Sequence, residues 1–246
     1  MKKILILLNF LFLLSLNAET ITADYKVEFG IFGEIGVANA LLTRDDNRYV
    51  IDVELKATGL SKRLSGNRKE QHISKGHIEN GVMVSDLYQV IKSHGSKVVN
   101  KIYRINHKTK TVTKEYKRWK NGKLTKDETK TMDYYSKDDL LTLYFNLDRK
   151  IVDKQEPNAY TFKAIGAEKQ KGKVDVIIPK KSDLKEYKDA VGAISDGSWY
   201  ARAIIHQDIF SSDKGELLLR IGKDGITEKA VLKDLIFFGD IRAIRI

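Results

Sequence analysis

The chain has 246 residues, a formal net charge of +11 and no cysteine. The missing cysteine excludes disulfides, thiol catalysis, thiolate metal sites and lipidation at an N-terminal cysteine. The length suits one large β domain or two small ones, stabilised by burial of a hydrophobic core alone.

The first segment, residues 1–18, is predicted to be a cleaved secretory signal peptide. Two lysines begin it, an apolar run from Ile4 to Leu16 follows, and Ala18 ends a cleavage site. The alternative is an uncleaved anchor, which the short run disfavours because a spanning helix needs about 20 residues. We therefore expect a periplasmic or secreted protein. Its mature part, residues 19–246, is predicted to be a single exported β domain that does not span a membrane.

Three glycines spaced three residues apart, Gly30, Gly33 and Gly36, follow the first predicted strand. A phosphate-binding loop would need a helix directly after the glycines. The residues after them instead alternate between apolar and polar over 49–57, which is typical of a half-buried strand. Gly30 and Gly33 are therefore predicted to form a hairpin, and Gly36 to relieve crowding where the strand bends or packs closely.

The same alternation recurs along most of the chain, which contains only two prolines. Turn signals separate the segments, and Asn121-Gly122 is a strong two-residue hairpin signal. This pattern predicts a mainly β fold, an antiparallel meander that forms a curved sheet or an open β-barrel. Two short helices are also predicted, a single turn at Leu60–Leu64 and a surface helix at Ser182–Ala190.

One longer helix is predicted from Ser136 to Ile151, with Ser136 as its cap. Its middle has almost no polar face, so it is predicted to be buried on the concave side of the sheet. If that side binds a ligand, the candidate ligand-binding residues on the helix are Leu140, Leu143, Tyr144 and Leu147. The alternative is that the helix fills the core permanently and leaves no cavity.

The excess positive charge is concentrated between Lys101 and Lys130, where eleven basic residues accompany three acidic ones. Because export makes nucleic acid a poor partner, the sequence predicts contact with envelope lipid or an envelope protein. The predicted residues for an anionic surface are Lys114, Lys117, Arg118, Lys120 and Lys123. With a hairpin tip at Asn121-Gly122, strand alternation places Lys114, Arg118 and Lys120 on one face of the strand and Lys117 on the other. The alternative is a solvated hairpin whose charge only keeps the protein soluble.

Motifs for catalysis or metal binding are absent from the sequence. The five histidines lack zinc-type spacing, and His72 and His77 are five residues apart, on opposite faces of a strand. No G-x-S-x-G elbow is present, and Asp138 and Asp139 are explained by the start of the long helix. The sequence therefore predicts no enzyme, no metal site and no cofactor.

Five segments spread over most of the mature chain are ADYKVEFGIFGEIGVA, YVIDVELKATGL, DDLLTLYFNLD, KVDVIIP and GELLLRIGKDGITEKAVLKDLIFFGDIRA. In this order they resemble an exported bacterial family known as domain of unknown function 3108. The resemblance implies a periplasmic or exported, mainly β protein. It implies no activity and no functional residues.

The function predicted from the sequence is therefore a non-catalytic binding module for an apolar or lipid-like envelope ligand. The alternative is a structural or protein-interaction module of the cell envelope, which would use the basic hairpin or a sheet edge to contact its partner.

Overall fold

The structure is a computed structural model that describes residues 18–206, 216–235 and 239–246. The first 17 residues of the predicted signal peptide lie outside this part. No helix among the described residues combines the length and the apolar character needed to cross a membrane.

The first half of the chain forms eight strands in a continuous antiparallel meander. Their bounds are β1 Glu19–Phe29, β2 Glu34–Arg44, β3 Arg48–Ala57, β4 Lys69–Glu79, β5 Val82–His94, β6 Lys97–Asn106, β7 Thr111–Lys120 and β8 Lys123–Thr131. The second half forms six more strands in the same way. These are β9 Asn158–Lys163, β10 Lys173–Ile178, β11 Trp199–Ile205, β12 Glu216–Ile221, β13 Thr227–Leu235 and β14 Gly239–Arg245.

The two meanders join into one fourteen-stranded sheet because β1 pairs with β14. The first and last strands therefore lie side by side within the sheet, and β8 and β9 form its two edges. The predicted fold class, an antiparallel meander forming a curved sheet or open barrel, is confirmed. The order of the strands could not be predicted, since pairing of the chain ends leaves no local signal.

Within the described ranges, three α-helices accompany the sheet, α1 Gly59–Leu64, α2 Leu140–Lys150 and α3 Leu184–Val191. Helix α2 lies between the two halves of the sheet. Leu143 and Leu147 pack with residues of β10 to β12, while Leu141 and Phe145 pack with residues of β2 and β3. The prediction that this helix is buried is confirmed, with Leu143 only 3% exposed.

The start of this helix was predicted incorrectly. It begins at Leu140 and is capped by Asp139, not by Ser136. The Ser136 hydroxyl donates to the carbonyl oxygen of Lys163 instead. Asp139 has an extended backbone, as an N-cap residue does, and it forms a β-bridge with Ile165.

The shorter predicted elements lie close to where the sequence indicated. Gly30 and Gly33 have positive φ angles of 43° and 69° and flank a short turn between β1 and β2. A Cβ atom on Gly36 would lie 2.6 Å from the carbonyl oxygen of Lys56, so the predicted crowding is present. Helix α3 covers the outer face of the sheet, where Tyr187 packs against Tyr200.

Candidate functional site

An apolar cavity of about 270 Å³ lies between α2 and the inner faces of strands from both halves of the sheet. We call it the inner chamber. Protein interiors contain few voids larger than a water molecule, so a cavity of this size needs an explanation. Ligand pockets occupy roughly 300–1,000 Å³, and the inner chamber lies just below that range.

The inner chamber exists because small side chains meet across neighbouring strands. Six of its lining residues are alanines, Ala23, Ala38, Ala40, Ala203, Ala230 and Ala243. Ala23 is the register partner of Ala40 between β1 and β2, and Ala230 is the partner of Ala243 between β13 and β14. Paired methyl groups do not reach the helix that faces them, so space remains between helix and sheet.

The helical wall of the inner chamber contains all four residues singled out from the sequence, Leu140, Leu143, Tyr144 and Leu147. Leu141 and Phe145 also line it. The structure therefore brings these candidates together at one cavity. That they bind a ligand stays a prediction.

A buried carboxylate fixes the N-terminal end of α2. The Asp139 Oδ1 atom accepts hydrogen bonds from the backbone N–H groups of Leu141 at 2.8 Å and Thr142 at 2.9 Å. Its Oδ2 atom accepts from the hydroxyls of Ser74 and Ser85, both at 2.5 Å. Burial raises the pKa of Asp139, although these donors favour its charged form.

A second set of bonds holds the middle of α2 against β5. The Asn146 amide accepts from the Met83 N–H at 3.2 Å and donates to the Met83 carbonyl oxygen at 2.9 Å. Lys150, at the end of the helix, lies 3.0 Å from Asp138. With its N-terminal end and its middle bonded to strands and its last turn bonded to the segment before it, α2 is a fixed wall of the chamber and not a hinged lid.

One buried hydroxyl beside this apolar chamber lacks a hydrogen bond. Thr227 is 4% exposed, and its hydroxyl has no hydrogen-bond partner among the residues that the structure describes. Its backbone N–H donates to the Tyr144 hydroxyl, and its carbonyl oxygen accepts from the Tyr25 hydroxyl. Burial raises the pKa of Tyr25, so this hydroxyl stays neutral. An unsatisfied buried hydroxyl is costly to the stability of the folded protein.

A second cavity, the outer chamber, adjoins the first and has a volume of about 570 Å³. The two chambers share the lining residues Leu217, Ala230 and Ala243. The far side of the outer chamber is charged and partly exposed, and it includes Lys56, Arg68, Glu70, His72 and Lys92. The two adjoining chambers therefore combine an apolar interior with a charged mouth, which these five residues form.

The charges at this mouth are centred on Glu70. Its carboxylate lies 2.5 Å from Arg68, 2.7 Å from Lys92 and 3.5 Å from His72. Burial disfavours the charged form of Glu70, but hydrogen bonds from His72, Lys92 and Arg68 outweigh it and hold its pKa well below the usual value. Arg68 and Lys92 share this single carboxylate, so the local charge is positive.

The basic stretch is a hairpin of β7 and β8 with the predicted tip at Asn121-Gly122, where both residues have positive φ angles. Lys114 was wrongly assigned to its anionic surface. The residue is 6% exposed, and its Nζ atom lies 2.6 Å from the Glu168 carboxylate. A lysine this deeply buried cannot contact a flat membrane.

The other four residues of the predicted anionic surface lie on or near the open edge of the sheet. Lys117 pairs with Asp127 at 3.5 Å, while Arg118, Lys120 and Lys123 are exposed. Strand β8 is an edge strand, and charged side chains on such strands prevent pairing with other chains. The edge position therefore gives the charge of this hairpin a structural reason, and its contact with an anionic surface stays a prediction.

Three residues that the sequence analysis did not connect come together on the outer face of the first meander. His77, Asp86 and His107 each offer a ligand atom, and these atoms lie within 4.8 Å of one another. His77 and His72 do lie on opposite faces of β4. Spacing along the chain could not reveal the cluster, because its members come from two strands and a turn.

No family model and no curated protein matches this chain. Among solved structures, it is similar to a β-barrel-like protein of domain of unknown function 1849 from Brucella abortus. The TM-score is 0.51 at 11% identity, and the match covers 92% of this chain and 94% of that one. This similarity supports the fold alone. The resemblance to domain of unknown function 3108 stays a prediction.

Sequence analysis found the helical wall of the chamber but missed the sheet wall and the mouth. Alanine carries a weak pattern signal because it occurs at both inward and outward positions of strands. Ala38 and Ala40 do stand at alternate positions of β2, which is the signal that could have identified this wall. Glu70 and Lys92 lie at inward strand positions where charge usually indicates exposure, so their place in a cavity could not be foreseen.

Proposed function

We propose that the protein is a non-catalytic module of the cell envelope that binds an apolar or lipid-like ligand. The observation that supports this proposal is the inner chamber, an apolar cavity lined by alanines that adjoins the outer chamber and its charged mouth. Burial of hydrocarbon releases about 0.8 kcal/mol per methylene, so even part of an acyl chain supplies useful affinity. Export through the predicted signal peptide belongs to this proposal.

The two chambers favour one orientation of an amphiphile. Its apolar chain occupies the inner chamber, whose lining is almost entirely apolar. Its anionic end lies in the outer chamber near Arg68 and Lys92, which Glu70 pairs with in the structure. Glu70 then competes with the ligand for these two cations, because the Glu70 carboxylate and the anionic end of the ligand both accept charge-assisted hydrogen bonds.

The first test blocks the junction of the chambers. Ala230 lines both, so Ala230→Phe places a ring between them. The matched control is Ala159→Phe on β9, which is exposed. Wild type and control are expected to bind lauric and palmitic acid in a fluorescent fatty-acid displacement assay, and native mass spectrometry gives the stoichiometry.

Ala230→Phe is expected to weaken binding at least about tenfold, which corresponds to ~1.4 kcal/mol. Thermal melting of each variant shows whether it is folded, and Ala243→Leu serves as a second blocking variant. No binding by the wild-type protein, or equal binding by the blocked and control variants, would refute the proposal.

The second test addresses the anionic end. Glu70→Gln removes the internal competitor while keeping the size of the side chain. We expect it to raise affinity for palmitic acid and to leave affinity for the neutral palmityl alcohol unchanged. An equal effect on both ligands would show that Arg68 and Lys92 do not bind the anionic end.

A further inference from the structure

A cluster of two imidazoles and one carboxylate lies outside both chambers. His77 is on β4, Asp86 on β5, and His107 in the turn between β6 and β7. A β-bulge opposite Gly76 makes Asp86 the extra residue of its strand. Bulges re-aim side chains, and here the bulge brings the Asp86 carboxylate beside both histidines.

Two of the three distances between ligand atoms in this cluster are close to those around one metal ion, and the third, between the two imidazole nitrogens, is within 4.8 Å. Asp86 Oδ1 lies 3.0 Å from His77 Nδ1 and 3.1 Å from His107 Nε2. A tetrahedral ion 2.0–2.1 Å from nitrogen and oxygen ligands holds those ligand atoms roughly 3.3 Å apart. We propose that His77, Asp86 and His107 form a binding site for a divalent transition-metal ion of the zinc class. This proposal is independent of lipid binding.

The surroundings of His107 support this assignment. Its Nδ1 atom lies 2.8 Å from the Tyr135 hydroxyl, which can accept a hydrogen bond from Nδ1–H. Histidines that bind metals usually donate the proton of the other ring nitrogen to such a partner, which fixes the ring and its tautomer. His107 Nε2 also lies 3.0 Å from the Ser85 carbonyl oxygen. Metal binding at Nε2 breaks this hydrogen bond, releases the Nε2 proton to solvent and requires the imidazole to shift, because an ion on the line between the two atoms would lie about 1 Å from the oxygen.

The cluster is open enough for a fourth ligand. Asp86 and His77 have side-chain exposures of 47% and 41%, so water can reach the ion. Glu79 follows His77 by two residues on the same face of β4, and Lys137 binds its carboxylate in the structure. Either water or Glu79 completes a four-coordinate site. Two imidazoles and a carboxylate favour zinc, and also nickel or copper, over calcium and magnesium.

Binding at this site would connect parts of the first meander that are distant along the chain. The ion would join β4 and β5 to the turn after β6, and Tyr135 extends the connection to the segment before α2. Because an ion bound only to the folded state stabilises that state, zinc is expected to raise the melting temperature of the protein.

The test uses the full protein after removal of metal with a chelator. Zinc binding is measured by isothermal titration calorimetry, and the absorption spectrum of bound cobalt reports the geometry. Asp86→Asn keeps the size of the side chain but removes its charge and one of its two acceptor oxygens. Tyr135→Phe removes only the hydroxyl that bonds to His107 Nδ1. His94→Gln is the matched control, because His94 is an exposed histidine that bonds to the Ser65 carbonyl oxygen elsewhere.

We expect one zinc ion per wild-type chain and the same affinity in His94→Gln. Asp86→Asn and the double variant His77→Gln/His107→Gln are expected to lose binding. Tyr135→Phe is expected to weaken it by roughly 10–100-fold, the usual cost of removing the partner of a metal-binding histidine. The proposal is overturned if wild type binds no zinc, or if Asp86→Asn and the double variant bind zinc as tightly as wild type does. In that case the cluster is an ion pair between histidines and an aspartate.

Discussion

Replacing Glu168 with glutamine should destabilise the protein, because this carboxylate joins the two halves of the sheet. Glu168 follows β9, yet it accepts hydrogen bonds from three residues of β6 and β7. Its oxygens lie 2.6 Å from Lys114, 2.5 Å from the Tyr103 hydroxyl and 3.0 Å from Lys101. The Lys114 side chain is only 8% exposed, so its charge has little access to water.

The size of this loss of stability follows from the ionisation of Glu168. Burial disfavours its charged form, but the bonds from Lys114, Tyr103 and Lys101 outweigh burial and lower its pKa from 4.5 to about 2. At ~1.4 kcal/mol per pKa unit, the lowered pKa corresponds to roughly 3 kcal/mol of stability at neutral pH. Burial and the nearby Lys101 lower the pKa of Lys114, and the hydrogen bond and charge of Glu168 act against this lowering.

The sign of the pH dependence is fixed by the lowered pKa. A carboxylate with a lowered folded-state pKa stabilises the protein above its unfolded pKa, near 4.5, and this stabilisation is lost as the pH falls towards 2. Glu168→Gln should therefore cost about 3 kcal/mol at pH ~7 and progressively less in acid.

Urea unfolding of wild type and Glu168→Gln at neutral and acidic pH measures this effect. The matched control is Glu156→Gln, because Glu156 is an exposed glutamate in the loop before β9. A loss below roughly 1 kcal/mol at neutral pH would refute the reasoning. So would an equal loss of stability by wild type and Glu168→Gln on acidification.

Three further predictions concern the helix, the unsatisfied hydroxyl and the basic hairpin. Leu143→Ala should cost ~2–5 kcal/mol in urea unfolding, because α2 is a fixed wall, and a loss below ~1 kcal/mol would contradict this. Thr227→Val should stabilise the ligand-free protein by about 1 kcal/mol, since it removes an unsatisfied buried hydroxyl, and lower stability would contradict this. At low salt, wild type should co-sediment with anionic vesicles more than a variant with four glutamines, because each basic residue near such a surface contributes about 1 kcal/mol. The four positions changed to glutamine are Lys117, Arg118, Lys120 and Lys123. Equal sedimentation of the two proteins would mean that the hairpin charge only keeps the protein soluble.

Local patterns predicted the fold well, while long-range contacts decided what was missed. Strand alternation is visible within a few residues, so the meander could be predicted without knowing any partner. The start of α2 could not be predicted in this way, because the cap residue Asp139 is held by a bridge to Ile165, which is distant along the chain. A long-range contact also explains why Lys114 is buried and does not lie on the predicted exposed surface. Its only acidic contact, among the described residues, comes from Glu168, 54 positions further along the chain.

The inner chamber shows most clearly how the site depends on strand register. Ala23 and Ala40 face each other within the first hairpin, and Ala230 and Ala243 face each other within the last one. These two pairs lie in one wall only because β1 pairs with β14, where Val27 is the partner of Ala243. A slip of one residue in that pairing would turn one set of alanines to the outer face and fill the space with other side chains. The cavity is therefore a property of how the chain ends meet, which no single hairpin of the sequence contains.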